Sequence, residues 1–262
     1  MSTNYTLATL RLRPAARGYT LVELLVALGI GLFLLAGLVS ILQGTRRTSS
    51  DQMELAQLQT NERLATTMMT DVIQQAGYYP DVQTSTLQSA FPAAPALASA
   101  PAFTQAGQFI TGQTNATGNG DSITVRYQTD STGTVLNCLG QNHDATSRPH
   151  AYTFAVSSSR QLVCSVDGNP PAPLVGNVQG LRVLYGVDAV SVSAYSSFAP
   201  NAYVPANEMT PVNWMNVRSV RIVITFTNPL AGQPGQGAAP AITLTRVVGI
   251  MARTGVNVVS TT

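Results

Sequence analysis

The sequence contains no lysine, and charged residues make up only 10% of its 262 residues. All 14 basic residues are therefore arginine, against 12 acidic residues. Three of the arginines, Arg11, Arg13 and Arg17, lie in residues 1–18, which contain no acid, so the remainder carries 11 arginines against 12 acids, a net charge of −1. Because affinity for nucleic acid scales with the number of phosphates neutralised, this balance argues against nucleic acid as a partner.

Cysteine is also scarce, since only Cys138 and Cys164 occur, far apart and outside any CxxC pair. Two thiols alone cannot form a tetrahedral zinc site. If the chain is exported, the even count indicates one disulfide. It would close a loop of about 27 residues and contribute roughly 3–4 kcal/mol in the chain-entropy model. The alternative is a pair of buried free thiols.

Motifs for catalysis are missing as well, with neither a phosphate-binding glycine loop nor a Gly-x-Ser-x-Gly elbow in the sequence. His143 and His150 flank Asp144 in an expected loop. A metal site needs three or more ligands that converge on one point, and the sequence gives no sign of such convergence here. The Asp-Gly-Asn sequence at 167–169 is typical of a turn, with calcium binding as the alternative. Asp188 is interpreted as a surface carboxylate. We therefore expect no catalytic residue, no metal site, no cofactor and no enzyme activity.

What the sequence does contain is one long apolar run. Every residue from 24 to 39 is apolar or glycine, and Glu23 is the only charged residue in 21–42. Twenty-two helical residues span about 33 Å, enough to cross a bilayer core. The upstream arginines predict a cytoplasmic N-terminus. The run is too long for an ordinary signal peptide and no small-residue cleavage site follows it, so we expect it to remain in the mature protein.

An amphipathic helix is predicted to follow the apolar run. Apolar side chains recur at spacings of three and four between Leu55 and Ala76, with Leu64, Met68 and Ile73 widening the stripe, and Gly77 is a suitable stop. One helix is therefore predicted from Leu21 to Ala76, although four glycines within 29–44 permit bending. Its second half is expected to pack on a sheet, in preference to forming a coiled coil.

The remainder of the chain has β-strand texture after an Ala- and Pro-rich stretch. Residues 81–120 are predicted to form a long loop with short pieces of structure, as a surface insertion. Alternating patterns predict strands at 122–128, 151–156, 161–166, 181–187, 217–226 and 242–251, with the second and third forming a hairpin and the last two pairing antiparallel. The fold class is α+β, a long N-terminal helix packed on an antiparallel sheet.

Residues 17–23, Arg-Gly-Tyr-Thr-Leu-Val-Glu, closely resemble the prepilin processing motif. In that family a membrane aspartyl peptidase cuts after the glycine on the cytoplasmic side, and the new N-terminus is methylated. The resemblance implies a leader at 1–18 that ends at Gly18, and a methylated mature N-terminus at Tyr19, where phenylalanine is more usual. Glu23 becomes the fifth mature residue, which the family reserves for glutamate.

The same resemblance implies a transmembrane half-helix at 19–42, an amphipathic half at 43–77 and a periplasmic globular β domain at 78–262. A carboxylate in a membrane helix is costly and is by default a functional candidate. The new amine at Tyr19 of a neighbouring subunit could pair with Glu23, which would remove most of the penalty of either charge. The alternative is that Glu23 only snorkels to the membrane interface.

Most of the chain outside 81–120 resembles the PilW-type minor pilins, at 61–65, 71–78, 138–140, 162–164, 174–175, 178–188, 214 and 217–221. This resemblance implies the type IV pilin fold and a low-abundance subunit that initiates the pilus and sits at or near its tip. The implied partners are other minor pilins, the major pilin, the prepilin peptidase and the inner-membrane assembly platform. The implied location is the inner membrane and then the pilus. The alternatives are a GspJ-like minor pseudopilin of a type II secretion system and a tip adhesin or DNA-uptake module.

Overall fold

The computed structural model describes residues 18–115, 119–129, 135–142, 148–187, 199–232 and 239–253. Two sets of residues discussed above lie outside these ranges, namely the three N-terminal arginines and the group His143, Asp144 and Asp188. The described residues fall into two compact units, divided between Gln52 and Met53.

The long helix α1 spans Leu21–Gln74, 54 residues, and confirms the predicted helix with an end two residues earlier than expected. The four glycines do not interrupt it. It stops where expected, since Gly77 has φ +78°, a conformation that glycine adopts without strain. The Gly77 amide then donates to the Arg126 carbonyl at 2.9 Å, which joins the helix end to the first sheet.

The second half of α1 supplies one wall of the hydrophobic core. Its buried residues recur at helical spacing, which confirms the predicted stripe: Leu58, Ala65, Met69, Val72 and Ile73. Leu64 does not belong to it, since 41% of its surface is exposed. Of the other two residues predicted to widen the stripe, Ile73 is buried and Met68 is half-buried.

The first sheet has five antiparallel strands in the order β1-β2-β3-β4-β5. Each strand pairs with the next along the chain, and the predicted hairpin is confirmed as β3 with β4. The strands are β1 Ile110–Gln113, β2 Ser122–Gln128, β3 Pro149–Val156, β4 Leu162–Val166 and β5 Ala172–Val175.

The second sheet has four antiparallel strands in the order β7-β6-β8-β9, so β6 and β8 occupy its centre. The predicted antiparallel pair at the end of the chain is confirmed as β8 with β9. The strands are β6 Val178–Val187, β7 Ala202–Pro205, β8 Val217–Thr227 and β9 Ala241–Gly249. Short helices occur at α2 Leu87–Ala90 and α3 Pro211–Met215.

The sequence indicated one sheet, and the structure has two antiparallel sheets in its place. They meet beside Asp121, a buried residue to which the sequence had drawn no attention. Its amide donates to the Leu181 carbonyl at 2.7 Å, and its carboxylate accepts from the Val183 amide at 2.8 Å. Asp121 thus uses both its backbone and its side chain to join the start of β2 to β6.

The disulfide between Cys138 and Cys164 is present, which confirms the pairing. Cys164 lies in β4 and both cysteines are buried. The bond holds the segment 135–142 against the five-stranded sheet. In the same segment, the Leu136 carbonyl accepts a hydrogen bond from the Tyr127 hydroxyl at 3.2 Å.

The interpretation of 81–120 as a surface insertion is wrong for its phenylalanines and for Ile110. Phe91, Phe103, Phe109 and Ile110 are each at most 2% exposed. The reason lies in β2, where all seven residues are buried, so both faces of this strand need cover. The segment 90–109 covers the face that carries Arg126 and Gln128, and its Phe91 and Phe109 belong to the hydrophobic core themselves.

Arg126 is the side chain that holds this segment on the sheet. Its guanidinium lies 3.9 Å from the centre of the Phe103 ring and donates to the carbonyls of Pro92 and Gln108. Burial lowers the pKa of Arg126 to about 10, which leaves it charged at neutral pH. The aromatic ring and the two carbonyls compensate a cation that has left water.

Replacing Phe91 with Ala should therefore lower the free energy of unfolding by about 3–5 kcal/mol, because it opens a cavity between the segment and the sheet. Val82 also lies in 81–120, but 66% of its surface is exposed. Val82→Ala should therefore change the free energy of unfolding by no more than about 0.5 kcal/mol. Denaturant unfolding followed by fluorescence of Trp214, which packs on Tyr185, measures both. Equal effects of the two substitutions would contradict the buried role of the segment.

Candidate processing and assembly site

Residues 18–20 precede the helix and are not helical, and all three are exposed. The Thr20 hydroxyl accepts a hydrogen bond from the Glu23 amide at 3.3 Å, and the Thr20 carbonyl accepts one from the Leu24 amide at 3.2 Å. Thr20 is therefore the N-cap of α1. The peptide bond between Gly18 and Tyr19 lies just outside the helix, between two exposed residues.

Thr20 was not singled out from the sequence, although a signal for it was present. A Ser or Thr followed three residues later by Glu, directly before an apolar run, is the pattern of a capping box. In this chain the pattern is Thr20-Leu21-Val22-Glu23. Glu23 also lies in the first turn, where the helix dipole favours a negative charge.

The apolar half of α1 is exposed on all sides. No residue in 18–50 is buried, and large side chains such as Leu21 and Phe33 are 76% and 79% exposed. By length and composition alone, α1 can cross a membrane. A continuous apolar surface of this size is a site for lipid or for other proteins. This helix therefore needs a cover that the described chain does not supply.

Glu23 is the only acidic residue on this apolar surface. It forms no ion pair with any residue that the structure describes. In the uncleaved chain, the Tyr19 nitrogen is part of a peptide bond and carries no charge. Cleavage after Gly18 would turn that nitrogen into an amine, on an exposed residue four positions before Glu23.

His150, which the sequence placed in a loop, is instead buried within β3. Its Nδ1 lies 2.8 Å from the Asp167 carboxylate, which also accepts from the Ala151 amide at 2.8 Å. Arg148 lies 3.5 Å from the same carboxylate. The predicted turn at 167–169 is confirmed, with positive φ at Asp167 and Gly168.

Burial opposes ionisation of Asp167, but the hydrogen bonds from His150 and Ala151 outweigh it and hold the pKa of the carboxyl below its ordinary value. Both carboxylate oxygens are occupied by donors from the protein. The group therefore clamps β3 to the turn after β4. In the described ranges, no three His, Cys, Asp or Glu residues are grouped to hold a metal ion.

Two family models match the chain. Residues 13–39 match the prokaryotic N-terminal methylation motif, which includes Gly18, Tyr19 and Glu23. Residues 143–247 match the type IV pilus-assembly protein W model, which extends from just before β3 to near the end of β9. No curated protein matches the chain. The two matches confirm the resemblance drawn from the residues, to type IV pilins of the PilW family.

Proposed function

We propose that this chain is a minor pilin that is cleaved after Gly18, methylated at Tyr19 and built into a type IV pilus through the apolar half of α1. The observation that carries the proposal is the uncovered apolar helix, preceded by an exposed, non-helical Gly18–Tyr19 bond. The two family matches support it from both ends of the chain.

Before assembly, the proposed cover of the helix is the inner membrane. The chain crosses it once, with its N-terminus in the cytoplasm and residues 78–262 in the periplasm. The positive charge of Arg11, Arg13 and Arg17 supports that orientation. In the pilus, neighbouring helices replace lipid as the cover. The subunit can therefore move from the membrane into the pilus without exposing the helix to water.

Glu23 is proposed to pair with the new amine of Tyr19 on a neighbouring subunit. Each charge alone is costly in an apolar bundle. Removing one partner of a buried pair therefore costs about 3–5 kcal/mol, because the other charge is left without compensation. The pair can form only after the peptide bond at Gly18 is cut, because only then does the Tyr19 nitrogen carry charge. Processing thus becomes a precondition for insertion into the filament.

We propose further that this subunit helps to initiate the pilus and lies at or near its tip. The match to the type IV pilus-assembly model favours the pilus over the secretion-system alternative. The proposed partners are the other minor pilins, the major pilin, the prepilin peptidase and the assembly platform. The role is structural and non-enzymatic.

Substitution of Gly18 tests the processing step. Neither Gly18 nor Gly29 has an atom within 4 Å of the place where a side chain would begin, so Gly18→Leu and Gly29→Leu should both fold. Mass spectrometry of the membrane protein should find the precursor with residues 1–18 for Gly18→Leu, and a chain beginning at Tyr19 for Gly29→Leu. A normal N-terminus in the Gly18 variant would overturn the leader assignment.

Substitution of Glu23 tests the pairing. Glu23→Ala and Glu23→Gln should each reduce the number of pili by about tenfold or more, the factor that corresponds to roughly 1.4 kcal/mol. Glu54 is an exposed glutamate on the same helix, and Glu54→Ala should leave piliation unchanged.

Protein level and the thermal unfolding of the variants should equal those of the parent, because Glu23 contacts no part of the core. Wild-type piliation in both Glu23 variants would argue that this carboxylate only lies at the membrane interface.

A further inference from the structure

The strand β9 leaves one side of the four-stranded sheet open. It pairs with β8 in one unbroken register, from Ser219 opposite Gly249 to Thr227 opposite Ala241. On its other side it pairs with no strand in the described ranges. Its nine residues make it the longest of the edge strands that the structure describes.

The register shows which backbone groups face outward. Hydrogen-bonded and non-bonded pairs alternate along an antiparallel ladder. The Asn228 amide donates to the Pro240 carbonyl and the Ile250 amide to the Arg218 carbonyl, so the even-numbered residues of β9 bond to β8. The amides and carbonyls of Thr243, Thr245 and Val247 therefore point away from the sheet, and all three residues are exposed.

The other three edges carry features that block the addition of a strand. Strands β1 and β7 have only four residues each, and β7 ends in Pro205. Strand β5 contains Pro173, and its pairing with β4 shifts register. Strand β9 has no proline and no bulge, and Arg246 is its only charged residue. It is therefore the one described edge that is open to pairing along its length.

The side chains of β9 indicate what kind of strand would fit. Ile242 and Leu244 are half-buried and pack at the margin of the core, while Arg246 lies on the same face and is exposed. A strand added here would extend the core with apolar side chains at alternate positions, and a carboxylate opposite Arg246 would be favourable. We infer that β9 accepts an extended, alternating and acidic strand from another pilus subunit, through backbone hydrogen bonds to Thr243, Thr245 and Val247.

A second copy of this chain is a poorer occupant. Strand β9 contains no acid, so antiparallel pairing of two β9 strands about Thr245 would bring two Arg246 side chains to one face without a counter-charge. The two arginines would be diagonal neighbours across the strand pair, within reach of each other, and would repel. The preferred partner is a different chain. The inference depends on the proposed function only for the source of that strand.

The test uses the full chain in lipid nanodiscs and a synthetic probe, a blocked nine-residue peptide of alternating valine and threonine with one central glutamate. Hydrogen exchange should slow at the amides of Thr243, Thr245 and Val247 when the peptide binds, with no change at Leu244 or Arg246, which already bond to β8.

Thr245→Pro removes one outward amide and no bond to β8, so it should weaken peptide binding at least tenfold. Thr245→Ala keeps that amide and should bind within about twofold of the parent, since it removes only an exposed side chain.

The role of charge is read from a matched peptide with glutamine in place of glutamate. Arg246→Ala should weaken binding of the glutamate peptide several-fold and leave the binding of the glutamine peptide unchanged.

Unaltered exchange at Leu244 and Arg246 in the free Thr245→Pro variant shows that β9 is still in place. Equal peptide binding by Thr245→Pro and Thr245→Ala would overturn the inference, as would the absence of protection at the outward amides or self-association that depends on Thr245. Since no pilus is involved, failure of this test leaves the processing and Glu23 predictions standing.

Discussion

The apolar surface of the first half of α1 has no cover within the described chain, and the rest of the molecule is organised around that fact. Residues 18–50 bury nothing, whereas the stripe from Leu58 to Ile73 is closed by two antiparallel sheets. The two halves of this helix therefore differ in environment. The second half packs in the core of the folded domain, whereas the first half is available to lipid or to neighbouring helices. A leader that is removed, and a membrane that holds the subunit until assembly, are consistent with this division.

Magnitudes explain why one carboxylate is tolerated on that surface. Burying a single leucine or phenylalanine contributes roughly 1.5–3 kcal/mol, and the run contains many such residues. An acidic side chain at the centre of a membrane helix costs about 2.5–3.5 kcal/mol on insertion scales. Two or three apolar side chains therefore offset Glu23, which lies in the first turn, where the helix dipole reduces its cost further. On these magnitudes, insertion of the helix into a membrane would not depend on Glu23, which leaves the carboxylate available for the proposed pairing with a neighbouring subunit.

The sequence predicted the elements whose signals are local. Periodicity placed α1, the β3–β4 hairpin and the β8–β9 pair, and the even cysteine count indicated the disulfide that joins Cys138 to Cys164. It did not predict two sheets, because the junction depends on Asp121 reaching Leu181 and Val183, some sixty residues away. Nor did it show that the phenylalanines of 90–109 are buried, since they have no periodicity and cover a face that carries Arg126. For the proposed processing site, the motif indicated Gly18, Tyr19 and Glu23, whereas the Thr20 cap was recognised only in the structure, although its pattern is present in the sequence.

The central claim is that the apolar helix, once freed of its leader, is covered by other pilins. It is tested most directly by the mass of this chain in pili sheared from cells and purified away from membranes. The account predicts a low-abundance chain in that fraction that begins at Tyr19, with one methyl group on its terminal amine. A chain that is plentiful in the membrane but absent from the pili, or that enters them with residues before Tyr19 still attached, would contradict it.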